Sequence, residues 1–238
     1  MTKHNVGYRD SSALTRWVRY ALYAQIVVAV VSIFSGYLEY QLLSDYQNEV
    51  YSSQEQAIAD GEANDQRQNI ISLIYLAVFI ASSVLILRWI HRANYNARQL
   101  GADGMVFTPG WSIGYYFIPI LTLWKPYQAM KEIWKASKNP LDFTNQSVSG
   151  ILPLWWTLWV TTNILGQVVF RLTSHADEIQ EFMDLNIITQ IATLLDIPLA
   201  LVFLAIVNNI TKMQLSHLED RNAQSHSQQS QVAIKQDI

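Results

Sequence analysis

The chain has 238 residues, of which 50% are hydrophobic and 15% charged, with a net charge of −3 and no cysteine. Soluble domains usually carry about 25% charged residues, so this composition disfavours an ordinary water-soluble domain and gives no support for a nucleic-acid partner. Disulfides, thiolate catalysis and thiolate metal sites are excluded outright.

The apolar residues come in blocks. No formal charge lies between Arg19 and Glu39, from Gln68 to Leu87, from Gly104 to Trp124, or from Phe143 to Phe170, and the stretch from Leu185 to Thr211 holds one acid, Asp196. A helix needs about 20 apolar residues to cross a bilayer core of about 30 Å. The blocks therefore predict an all-α fold, a polytopic membrane helical bundle. Residues 1–16 form a cytoplasmic N-terminal segment. The first span covers about 17–38. Arg16 and Arg19 stand before it as in a signal peptide, but its uncharged core is longer than an h-region and no small-x-small cleavage site follows. An acidic connection at 44–69 carries Asp45, Glu49, Glu55, Asp60, Glu62 and Asp65 against Arg67 alone. The second span covers about 69–89, with Arg88, Arg92 and Arg98 at and beyond its end.

Next comes FTPGWSIGYYFIPILTLW at 107–124, uncharged, aromatic-rich and broken by Pro109, Gly110, Gly114 and Pro119. On a soluble protein it would expose an unmanageable apolar patch. Residues 125–137 then read as a short amphipathic helix. Pro126 suits its first turn, and Tyr127, Met130, Ile133, Trp134 and Ser137 recur at three- and four-residue spacing. Lys131, Lys135 and Lys138 lie largely opposite, which suits an anionic cytoplasmic leaflet at about 1 kcal/mol per lysine. The third span covers about 151–170 and a second acidic connection holds Asp177, Glu178, Glu181 and Asp184. The fourth span covers about 186–209, and the Ser/Gln-rich residues 214–238 read as a disordered cytoplasmic tail.

Charge decides whether 107–124 crosses. Lys and Arg gather on the cytoplasmic side of short loops. With four spans and both termini inside, every Lys and Arg except Arg67 and Arg171 is cytoplasmic; with five spans they divide evenly. In the four-span threading Trp17, Trp89, Trp111, Trp124, Trp134, Trp155, Trp156 and Trp159 also fall near the cytoplasmic interface, the boundary that indole rings favour. Residues 107–124 are then re-entrant or interfacial. Irregular backbone at that depth must be buried in protein or face a cavity.

The run PGWSIGYYFIPILTLWKPYQAMKEIWKAS resembles the signature of a bacterial multi-pass membrane family, domain of unknown function 4328. Its pattern is similar to P-G-W-x-x-G-x-x-F-I-P, then L-W-[KR]-P-Y-Q-A-M, then an acid, an apolar residue and Trp. Pro109, Gly110, Trp111, Gly114, Phe117, Ile118, Pro119, Trp124, Lys125, Pro126, Tyr127, Gln128, Ala129, Met130 and Trp134 match it. The resemblance implies a multi-pass protein of the bacterial cell (inner) membrane and brings no activity with it.

Two constellations remain. Gly110 and Gly114 form a GxxxG pair, which either lets two helices approach closely or serves a turn after Pro109 and makes room for a Trp. Asp196 lies mid-span, two residues before Pro198. An acid there costs about 2.5–3.5 kcal/mol on insertion scales and needs a partner. Depth on the preceding antiparallel span points to Asn163 and Gln167, and Pro198 frees the carbonyl of Leu194. This polar cluster either ties two helices together or handles an ion or proton. No HExxH, GxSxG or Walker loop appears, so no catalytic residue, metal or cofactor is expected. The expected role is a non-enzymatic scaffold or accessory component that contacts the bilayer and either its own copies or a membrane-protein partner. The alternative is a small oligomeric ion channel or transporter using Asp196 and residues 107–124.

Overall fold

A computed structural model describes residues 7–236; the outermost parts of the segments 1–16 and 214–238 lie outside the described residues. The fold is all-helical, with no strand among the described residues. Six α-helices follow one another: α1 (Ser12–Gln47), α2 (Gln54–Gln99), α3 (Trp111–Gly114), α4 (Lys125–Lys138), α5 (Ile151–Thr173) and α6 (Ile179–Gln236). Short 3₁₀ turns occupy Tyr115–Phe117, Leu121–Leu123 and Pro140–Asp142.

Among the described residues three helices are long and apolar enough to cross a membrane: α1, α2 and, within α6, Ile179–Gln224. At 23 residues α5 has the length, but Trp155, Trp156, Trp159, four threonines and the amides of Asn163 and Gln167 dilute its aliphatic residues. The long helices overrun their apolar blocks. With 36 residues α1 measures about 54 Å at 1.5 Å per residue, far more than a bilayer core. Two expectations are corrected accordingly. The acidic stretch 44–69 is mostly helix, because its Gln, Glu and Ala residues propagate a helix well, and only 48–53 connect α1 to α2. The polar stretch from 214 is not disordered but continues α6 to Gln236.

The chain forms two compact units. Unit 1 comprises Met1–Arg16, Ile86–Leu152 and Ala205–Ile238; unit 2 comprises Trp17–Leu85 and Pro153–Leu204. In unit 1 each helix buries one stripe at helical spacing: Trp89, Ile90, Ala93 and Ala97 from α2, Ala129, Met130, Ile133 and Ala136 from α4, and Ile206, Val207 and Ile210 from α6. Gln214 shows that the three meet, since its buried amide donates to the Ala93 carbonyl at 2.8 Å and the Ser137 hydroxyl at 2.9 Å. The end of α2 is closed by backbone and side chain together. The amides of Gly101 and Ala102 bond back to the Arg98 and Ala97 carbonyls, a turn that needs the left-handed backbone of Gly101 (φ 109°). Arg221 adds its guanidinium to the Gln99 and Leu100 carbonyls at 2.8 and 3.1 Å, satisfying acceptors that every helix end leaves open. These bonds hold the polar stretch of α6 against unit 1 as far as Arg221: Gln214, His217 and Arg221 recur at helical spacing and each is bonded inside unit 1.

Unit 2 is tied differently. Asn186, buried, donates from Nδ2 to the Gly36 carbonyl at 3.0 Å and to Glu39 Oε2 at 2.7 Å, and accepts from Gln190 Nε2 at 2.5 Å. A Cβ on Gly36 would stand 3.1 Å from Gln190 Cγ, so glycine is what lets α1 and α6 approach there. Ser35, Asn64, Arg67 and Gln68 form a second polar knot between α1 and α2.

Candidate functional site

The family-signature residues are concentrated in unit 1, and one residue organises them. Phe107 is buried, and its peptide group is held from both sides. Glu132 on α4 accepts the Phe107 amide at 2.9 Å through Oε2 and the Val106 amide at 2.7 Å through Oε1. On the other side the Phe107 carbonyl accepts from Asn94 Nδ2 at 2.8 Å and Arg98 Nη2 at 3.0 Å. Arg98 also donates to the Met105 carbonyl at 2.7 Å and, through Nε, to Asn94 Oδ1 at 3.2 Å. Charged groups bonded to backbone make the stronger class of hydrogen bond. Lys125 closes the arrangement: its ammonium lies 5.6 Å from the Phe107 ring centre and 5.9 Å from that of Tyr115, within cation–π range. The first residue of the segment 107–124 and the residue immediately after it are therefore neighbours.

Between those ends the chain makes one helical turn and two 3₁₀ turns. Thr108 Oγ1 accepts the Trp111 amide at 3.2 Å and Ser112 Oγ donates to the Pro109 carbonyl at 2.7 Å. The GxxxG pair is part of this turn. Gly110 precedes the single turn α3, and a Cβ on Gly114 would meet the Trp111 ring at 3.2 Å. Large apolar side chains point outward here: Trp111, Phe117 (73% exposed), Ile120 (69%), Leu123 and Trp124. Pro119 is exposed beside them.

α4 behaves otherwise than its amphipathic pattern suggests. Pro126, Ala129, Met130, Ile133, Trp134 and Ser137 are buried in protein, while Tyr127 is half-buried and Gln128 exposed. The face read as lipid-seeking is core. Of the three lysines assigned to a lipid interface, Lys135 donates to the Thr144 carbonyl at 3.1 Å and Lys138 to Ser147 Oγ at 2.9 Å. Lys131 is exposed. Trp89 and Trp134 likewise belong to the core of unit 1. Beside it His91 has a lowered pKa, chiefly through burial and then through Arg92 and Arg9, which keeps it neutral among cations.

In unit 2 Asp196 finds a different partner from the expected one. Asp196 Oδ2 accepts from the Tyr75 hydroxyl at 2.6 Å, joining α6 to α2. Asn163 and Gln167 are not brought to it by a hydrogen bond. Both are exposed, and the Asn163 amide donates to the Trp159 carbonyl of its own helix at 2.7 Å. Depth along antiparallel helices sets which residues share a level, but rotation about each axis decides which of them meet. Tyr75, with its long side chain, reaches Asp196 from α2.

Sequence reasoning missed Asn94, Arg98 and Gln214, which look like ordinary polar residues at the end of an apolar block. Glu132 did carry a signal, since the family pattern asks for an acid at that point. A family model described as domain of unknown function (DUF4328) matches residues 53–212, more than half of the chain. The chain belongs to this family. The match spans the whole Phe107 clamp, while Gln214 and Arg221, which bond to other parts of unit 1, lie beyond it. No curated protein and no solved structure matches it. In this DUF4328 chain no group of three or more His, Asp or Glu side chains is placed to hold a metal ion among the described residues.

Proposed function

We propose that the chain is a four-span membrane protein with both termini cytoplasmic, acting without catalysis as a scaffold whose unit 1 presents residues 107–124 to the cytoplasmic leaflet. One observation carries this reading: Lys125 stands over the Phe107 ring at 5.6 Å. A helix that crossed a bilayer core of about 30 Å would hold its ends that far apart, whereas this segment leaves and returns at one point. Its exposed Trp111, Phe117, Ile120, Leu123 and Trp124 suit the interface, where aromatic rings rest at headgroup level. The anionic leaflet, attracted to Lys131, is the partner on that side. The bacterial inner membrane is the location that the family resemblance implies.

Single cysteines in this Cys-free chain test the threading. Lys131→Cys and Glu62→Cys are both at exposed positions. An impermeant thiol reagent on intact cells should label position 62 and spare 131 until the cells are opened. Labelling of 131 from outside would sink the arrangement.

The Tyr75–Asp196 bond supports a second reading, a small channel or transporter, because an acid at mid-span most often faces a pathway or a partner. In proteoliposomes Asp196→Asn should then abolish proton or cation flux while the chain still folds. No difference between wild type and variant would leave the scaffold standing.

A further inference from the structure

The expectation that tied Asn163 and Gln167 to Asp196 leaves these two amides with another use. On α5, Thr161, Thr162, Leu165 and Val169 are half-buried, whereas Asn163, Gln167 and Phe170 are exposed. At about 100° per residue these exposed three share one side, opposite the half-buried set. Asn163 spends one N–H on the Trp159 carbonyl, which leaves its oxygen and second hydrogen. The Gln167 side chain makes no hydrogen bond among the described residues. Gly166 lies beside them, and nothing comes within 4 Å of the place a Cβ would take.

Two amides with unmet hydrogen-bonding groups, one half-used and one unused, are expensive on the outward side of a span, since hydrocarbon offers them no partner. The clearing at Gly166 would let another helix come near enough to bond them. An amide carries donor and acceptor together, so a side bearing Asn163 and Gln167 is complementary to itself. Under a two-fold axis along the membrane normal, Asn163 meets Asn163 and Gln167 meets Gln167, each giving and taking a bond. Self-complementarity of this kind is what an isologous interface requires.

We propose that α5 is the homodimer interface of this protein, a second copy of the chain seated on the side formed by Asn163, Gly166, Gln167 and Phe170. The proposal rests on α5 crossing the membrane, as the four-span reading has it.

Single cysteines at 163, 167 and 170, and at the exposed off-axis positions Ile164 and Val168, are introduced into the full-length chain and oxidised in native membranes. Positions 163, 167 and 170 should give a disulfide-linked dimer at least ten-fold more efficiently than 164 and 168. The double variant Asn163→Leu, Gln167→Leu, altered only at exposed positions, should run as a monomer by native mass spectrometry where the wild type runs as a dimer. Equal cross-linking at all five positions, none at any, or linkage to a different chain overturns the interface. Thr144→Cys and His175→Cys separate this from the threading. Labelled from opposite sides of the membrane, they show that α5 crosses, and the dimer stands or falls on its own. Labelled from one side, they place the amides in water and overturn the span and the interface together.

Discussion

Units 1 and 2 are built of helices from one chain, yet outside residues 107–124 they sort their large apolar side chains differently. Unit 1 buries its aliphatic stripes and uses Glu132, Arg98, Asn94, Gln214 and Arg221 to satisfy backbone groups. Unit 2 buries Val18, Leu22, Phe203 and Leu204, but it also exposes long rows of large apolar side chains, among them Val27, Phe34, Leu73 (67%) and Ile80 (53%). Polar Ser35, Asn64, Ser82 and Asn186 are inside it. In water such a surface is costly. In hydrocarbon it is not, and helices there associate through close packing and interhelical hydrogen bonds. The contrast teaches that the solvent, more than the helix, decides what a helix hides.

The strongest way to break the contrast is to make one truncation in both units. Ile133→Ala empties a fully buried site in unit 1 (0% exposed) and should cost about 3 kcal/mol. Ile80→Ala on the exposed side of α2 should cost less than about 0.5 kcal/mol in lipid. Thermal unfolding of both variants in native-lipid discs checks this; equal losses would mean that the two units share one solvent. Glu132→Gln keeps an acceptor for one amide and loses the charge-assisted pair, for about 2 kcal/mol. Limited proteolysis should then cut 100–110 faster while the 48–53 connection is unchanged.

Gly36→Val sharpens the comparison from the other side. Its added methyls press on Gln190 and disturb the Asn186 bonds, for about 1–2 kcal/mol, and hydrogen exchange should quicken around 186–190 and not around 94–107. The smallest effect concerns pH. Glu181 accepts the backbone amides of Asp177 and Glu178 at 2.8 and 3.2 Å, and these bonds lower its carboxyl pKa. Its contribution is full above the unfolded-state pKa and is lost as pH falls through the lowered folded value. Exchange of the Asp177 and Glu178 amides, just before α6, should therefore accelerate as pH falls below the usual carboxylate range, an acceleration that Glu181→Gln removes.

The long apolar helices α1, α2 and α6 were legible because a charge-free run acts locally, along one helix. The acid of the family pattern was legible too, as a residue type without a task. Where each helix stops was not, since Gln, Glu and Ala extend a helix past any apolar boundary. The tail illustrates the same limit: a Ser/Gln-rich composition describes 214–236 well, and it gives no sign that Gln214, His217 and Arg221 reach partners far away in sequence.

By itself the sequence determined an all-helical chain, the apolar runs of α1, α2 and α6 that are long enough for a bilayer, and membership hints in the run from Pro109 to Ser137, because hydropathy and motif are properties of consecutive residues. Only the tertiary structure decided what covers each apolar or polar face. A period of 3.6 says that α4 has an apolar side but not whether protein or lipid meets it, and here protein does. Depth placed Asp196 level with Asn163 and Gln167, but the rotation of each helix, set by packing, gave it Tyr75 and left the amides facing out.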